Sequence, residues 1–154
     1  MNRSEIIQES IDIIESTNTA YFTTIDAEGF PQTRAIFNMR CRWRFPHIQY
    51  LYENQSHELM VYLTTNTSSD KVLHLASNNR VCVYFCRPDD SVGVMLSGTA
   101  EIVDDPIIKK ALWQEGWEVY YGSVDNPDYT VLQLLPSKAK GWLRNEPFLL
   151  TWNS

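Results

Sequence analysis

A mainly β fold, an antiparallel barrel or sandwich with a few flanking helices, is predicted by three observations. The chain has 154 residues, enough for one domain that buries well over half of its unfolded surface and too few for two. Six or seven runs rich in β-branched and aromatic residues are bounded by Asn, Asp, Gly, Ser or Pro. The helical patterns among them do not alternate strand by strand, which disfavours a parallel doubly wound sheet. The expected domain therefore spans residues 1–154, with a helix at 4–16 and the barrel from 19 to 154.

Each element has its own signal. Ile6, Ile7, Ser10, Ile11 and Ile14 recur at helical spacing, with Ser4 as cap and Asn18 near the stop. The runs Ala20–Ile25 and Gln32–Phe37 flank Asp26-Ala27-Glu28-Gly29, whose glycine can take the positive φ of a hairpin loop. Further strands are expected at Leu59–Thr65, Arg80–Cys86, Val92–Val103, Tyr129–Leu135 and Phe148–Trp152. Helices are expected at Ser69–Ala76 and from Pro106 through Trp113 or beyond, a helix that would carry Trp113 and Trp117 on one face.

Composition narrows the partners. Hydrophobic residues make up 44% and charged residues 21% of the chain, an ordinary globular balance without a run long enough to span a bilayer. Met1-Asn2-Arg3-Ser4-Glu5 leads straight into Glu9, Asp12 and Glu15, which no secretory signal tolerates, so a cytoplasmic location is expected. Cys41, Cys82 and Cys86 lack CxxC spacing and read as reduced packing residues. His47, His57 and His74 have no partner at ligand-like spacing, so no metal site is expected. A net charge of −6 argues against nucleic acid, which calls for a basic field, and points to small-molecule partners. One basic stretch, Arg40-Cys41-Arg42-Trp43-Arg44, reads as a strand with three arginines on one face, either solvated or binding an anion.

Two places could carry chemistry. In Thr64-Thr65-Asn66-Thr67-Ser68-Ser69-Asp70-Lys71 a strand ends in hydroxyl donors and a helix begins with a lysine in its first turn. Unpaired N–H groups and the helix dipole suit a phosphate there, although a serine that merely caps the helix gives the same pattern. Arg34 interrupts an apolar-rich strand, where it is either an ordinary surface cation or one that reaches a ligand.

The order of these motifs resembles the pyridoxamine 5′-phosphate oxidase superfamily of split barrels. Asp26 to Arg34 is similar to its "acidic-x-x-Gly-x-Pro-x-x-Arg" hairpin, and Thr64-Thr65 through Ser69-Asp70-Lys71 to its "Thr…Ser-x-Lys" phosphate segment. Gly98-Thr99-Ala100 with Asp104-Asp105 resembles the "Gly-x-Ala" strand and its acidic turn. Leu112-Trp113, Tyr120-Tyr121-Gly122, Asp125-Asn126-Pro127 and the "Pro-x-x-Ala-x-x-Trp" of Pro136, Ala139 and Trp142 resemble the general stress protein 26 group. The match runs over residues 15–143.

The resemblance implies an antiparallel Greek-key split barrel of the FMN-binding type, a homodimer with FMN at the subunit interface. It implies that Arg34, Thr64, Thr65, Ser69 and Lys71 contact the flavin phosphate and ribityl chain, and that Trp113 and Trp142 lie near the ring or the interface. The implied function is an FMN-dependent oxidoreductase of unknown substrate. The alternatives are a flavin-binding or storage module without turnover, and a barrel that binds a deazaflavin or haem. Two departures stand out: Gly93 or a neighbour stands where several relatives carry a ring-contacting Gln, and the 39–60 segment is long, which suggests an extended hairpin.

Overall fold

In the computed structural model, which describes residues 1–153, seven antiparallel strands form one sheet that curls into a half-barrel. They are β1 (Thr19–Ile25), β2 (Pro31–Phe37), β3 (Val61–Asn66), β4 (Arg80–Arg87), β5 (Val92–Ile102), β6 (Tyr129–Leu143) and β7 (Glu146–Thr151). The order is β2-β1-β4-β5-β6-β3, with β7 also on β6. Strands β4, β5 and β6 follow one another, while β3 crosses to lie beside β6, a Greek-key arrangement. The two edges, β2 and β3, come close without pairing, and this seam is the split in the barrel.

Alternation decides which residues fill the interior. Ala20, Phe22 and Thr24 of β1 are buried, and the register sets Ile36, Arg34 and Gln32 of β2 directly across from them. Arg34 therefore stands on the inner face, opposite Phe22. The helix α1 (Arg3–Ser16) covers the barrel and buries Ile13 and Ile14 with Phe22, Val83, Phe85 and Leu96. Its cap is Asn2, in a capping box with Glu5, rather than the expected Ser4.

Two expectations are corrected. The 39–60 segment is neither strand nor extended hairpin, because it turns at once and forms a 3₁₀ helix, Pro46–Tyr52. Its three arginines consequently diverge. Arg40 is buried, with Nη1 donating to the carbonyls of Glu58 and Met60, Arg42 forks onto Glu15, and Arg44 lies over the Phe37 and Phe45 rings. The expected long helix from Pro106 stops at Leu112 (α3, Pro106–Leu112), and α4 (Glu118–Tyr121) begins anew. Gly116 at φ +91° breaks them apart, so Trp113 and Trp117 flank a turn instead of sharing a helix face.

Candidate functional site

A cleft of about 310 Å³ opens at the split, between Ala35, Ile36 and Phe37 of β2 and Thr64, Thr65 and Asn66 of β3. Lys71 closes one side, from the first turn of α2 (Asp70–Ser77), while Arg44 and Tyr121 close others. Arg34 and Ser69 do not line it but stand beside residues that do: the Arg34 guanidinium is near enough to Lys71 to act on its charge, and the Ser69 and Thr65 hydroxyls are 3.1 Å apart.

Ser69 occupies the N-cap position of α2, yet its hydroxyl makes no capping bond and turns to Thr65 instead. The helix thus begins with donors that no side chain satisfies, beside two hydroxyls and a lysine. Burial lowers the pKa of Lys71, and the nearby Arg34 guanidinium lowers it further, while Asp70 works in the opposite direction. Burial also lowers the pKa of Arg34, again against Asp70. Two half-buried cations near enough to repel each other favour an anion between them, and a phosphate carries nearly two charges. Hydroxyls, helix N–H groups, a fork-shaped guanidinium and a point-charge ammonium form a donor set that fits it.

Positioning comes from residues that local sequence signals did not single out. The Arg34 guanidinium donates to the Thr24 hydroxyl at 2.8 Å, and the same hydroxyl lies 2.8 Å from Nδ1 of His74 on α2. The three groups tie β1, β2 and α2 together. Tyr121 donates to the Thr64 hydroxyl at 3.2 Å and fixes its rotamer. Arg44 reaches the cleft from the turn before the 3₁₀ helix, held by Asn18 Oδ1 at 2.9 Å and by the two phenylalanine rings beneath it.

The loop before α2 hangs on Asp128. One carboxylate oxygen accepts from the Ser68 amide and the other from Asn66 Nδ2, both at 2.8 Å. The Asn66 side chain, followed by the Ser68 amide, holds the Asp128 carboxyl below its usual range. A depressed carboxylate supports structure above the ordinary Asp range and loses it as the pH falls through the lowered value. Amide-exchange protection at Ser68 is therefore expected to persist at neutral pH and collapse only in acid, and Asp128→Ala is expected to abolish it at every pH. NMR-detected exchange across a pH series checks both outcomes.

The two tryptophans named by the resemblance stand outside the cleft of their own chain. Trp113 does not line the cleft; it packs one layer behind it, with ring centroids 6.0 Å from Tyr121 and 5.1 Å from Tyr129. Trp142, on the second half of β6, is 54% exposed and lines a separate cavity of about 530 Å³ with Tyr84, Cys86 and Gly93. Arg34, Thr64, Thr65, Ser69 and Lys71 thus come together, and the tryptophans do not join them within one chain. Among the described residues no group of three or more His, Cys, Asp or Glu side chains is placed to hold a metal, and no helix is long and apolar enough to cross a membrane.

Comparisons with known proteins give the family. A crystal structure of a protein related to general stress protein 26 (pyridoxinephosphate oxidase family) from Clostridium acetobutylicum is 28% identical, with a TM-score of 0.74 over 97% of this chain and 96% of that one. General stress protein 26 from Bacillus anthracis superposes with a TM-score of 0.74 at 17% identity, over 96% of this chain and 99% of its own. A heme binding protein from Mycobacterium smegmatis shares the fold, with a TM-score of 0.69 at 17% identity over 98% of this chain and 60% of its own. No curated protein matches the sequence significantly. The family model described as pyridoxamine 5′-phosphate oxidase matches residues 6–143, and the chain belongs to that family.

Proposed function

We propose that the chain binds FMN in the cleft at the split and acts as an FMN-dependent oxidoreductase on a small molecule. The observation that carries this reading is the pairing of Arg34 and Lys71 beside an uncapped helix start, with the Thr64, Thr65 and Ser69 hydroxyls around them. Flavin binding is typical of the family, which supports the same reading. FMN supplies hydride or electron transfer when bound. The chain's own part is to grip the phosphate through Arg34, Lys71 and Ser69, to line the ribityl path with Thr64 and Thr65, and to exclude water with Phe37 and Tyr121.

A second copy of the chain completes this proposal. Tyr21, Tyr84, Trp142 and Leu149 stand 40–60% exposed, and the strand register puts their positions on the outer face of the sheet. Covering such a stretch favours self-association. In a dimer of this kind Trp142 would approach the flavin of the neighbouring subunit.

The test is direct. The purified chain is expected to be yellow, to release FMN on heating, and to bind FMN more tightly than riboflavin, a deazaflavin or haem. Failure to take up any flavin sinks the reading, and uptake of haem in preference transfers the site to the alternative. Reduction of the bound chromophore by NADH or NADPH with turnover of an acceptor supports an oxidoreductase. Tight binding without turnover across such a panel leaves a flavin-binding module.

A further inference from the structure

Away from the cleft, the ladder between β5 and β6 breaks. Ser97 pairs with Lys138 but Gly98 pairs with Pro136, so Ser137 is an extra residue, a β-bulge. The break is built in, since a Cβ on Gly98 would stand 2.7 Å from the Leu135 carbonyl oxygen. Beside it opens a cavity of about 680 Å³, against 310 Å³ for the cleft.

Its wall is held in place. His57 is a strut, with Nε2 2.7 Å from the Pro136 carbonyl oxygen and Nδ1 accepting from the Leu59 amide, so neither ring nitrogen is free. Trp152 packs against His57 with centroids 4.5 Å apart, carries the Arg3 guanidinium over its ring, and donates its own amide to the Ser137 carbonyl at 2.9 Å. The lining adds two cations, Arg80 and Lys138, and the Ser97 and Thr99 hydroxyls.

The charge pattern runs against that of the chain. Acidic residues outnumber basic ones by 19 to 13, yet among the described residues no Asp or Glu lines this cavity. Neither Arg80 nor Lys138 has a carboxylate within ion-pair distance among those residues. Leu135, 47% exposed, leaves apolar surface in the same wall. We infer that the bulge cavity is a second binding site, for an organic anion whose carboxylate or phosphate meets Arg80 and Lys138 and whose apolar body covers Leu135 and Trp152. The inference does not depend on the flavin, because none of these residues lines the cleft.

Amide shift mapping by NMR, on the chain as purified with excess FMN, tests it with phenyl phosphate, inorganic phosphate and phenol as probes. Phenyl phosphate is expected to move the Ser97, Thr99 and Lys138 amides saturably, with inorganic phosphate and phenol each about tenfold weaker or more. Arg80→Gln and Lys138→Gln are each expected to weaken phenyl phosphate about tenfold and to leave FMN affinity unchanged. Shifts confined to residues 64–71, undiminished binding in the double variant, or inorganic phosphate binding as tightly as phenyl phosphate would each overturn the site.

Discussion

With Arg34 and Lys71 both replaced by alanine, FMN affinity is expected to fall by about 3 kcal/mol, more than a hundredfold, while riboflavin affinity stays where it was. Two charge-assisted hydrogen bonds are worth about 1.5–3 kcal/mol each. The low end applies, because both side chains are only partly buried and solvent screens them. Riboflavin lacks the phosphate, so it reports everything in the cleft except the contact in question. An equal loss for both ligands would show that the cations shape the cleft rather than grip the phosphate. The single variants separate the cations. With Arg34→Gln the Lys71 pKa is expected to rise, since Arg34 is one of the causes lowering it, and a ¹³C titration of the lysine side chain reads this without any flavin.

The asymmetry between what could and could not be read locally follows from the range of the interactions. Strand runs declare themselves through period-two alternation, and β1, β2, β4 and β5 lie within a residue or two of their expected limits. Strand β6 runs eight residues past the expected Leu135, to Leu143, because the bulge at Ser137 absorbs the Pro-Ser interruption that reads as a stop. The Arg40–Arg44 stretch misleads for the opposite reason. Alternating arginines look like a strand face, but burial of Arg40 against the Glu58 and Met60 carbonyls turns the chain inward. At the site, the types of Thr64, Thr65, Ser69 and Lys71 are visible in one short segment. The Thr24 hydroxyl that joins Arg34 to His74 is not visible, since it links residues ten and fifty positions apart. Arg34 itself looks like a surface residue until the register sets it opposite the buried Phe22.

Register also yields the sharpest stability contrast, between two neighbouring glycines. A Cβ on Gly141 would stand 1.9 Å from the Gly93 carbonyl oxygen and 2.8 Å from its carbonyl carbon, so the obstacle is backbone. A Cβ on Gly93 would meet the Tyr84 hydroxyl at 2.2 Å, the far end of a side chain that can swing toward solvent. Gly141→Ala is accordingly expected to cost about 3 kcal/mol or more, at or beyond the upper end for overpacking, because β5 and β6 must part to admit it. Gly93→Ala is expected to cost about 1 kcal/mol, at the lower end. A double-mutant cycle tells the two apart. Tyr84→Ala should recover most of the Gly93→Ala loss and none of the Gly141→Ala loss, measured as shifts in the chemical-denaturation midpoint. If Gly141→Ala proved as mild as Gly93→Ala, the pairing of Val94 with Gly141 and of Gly93 with Trp142 would be wrong, and with it the placement of Trp142 beside Tyr84 on the outer face.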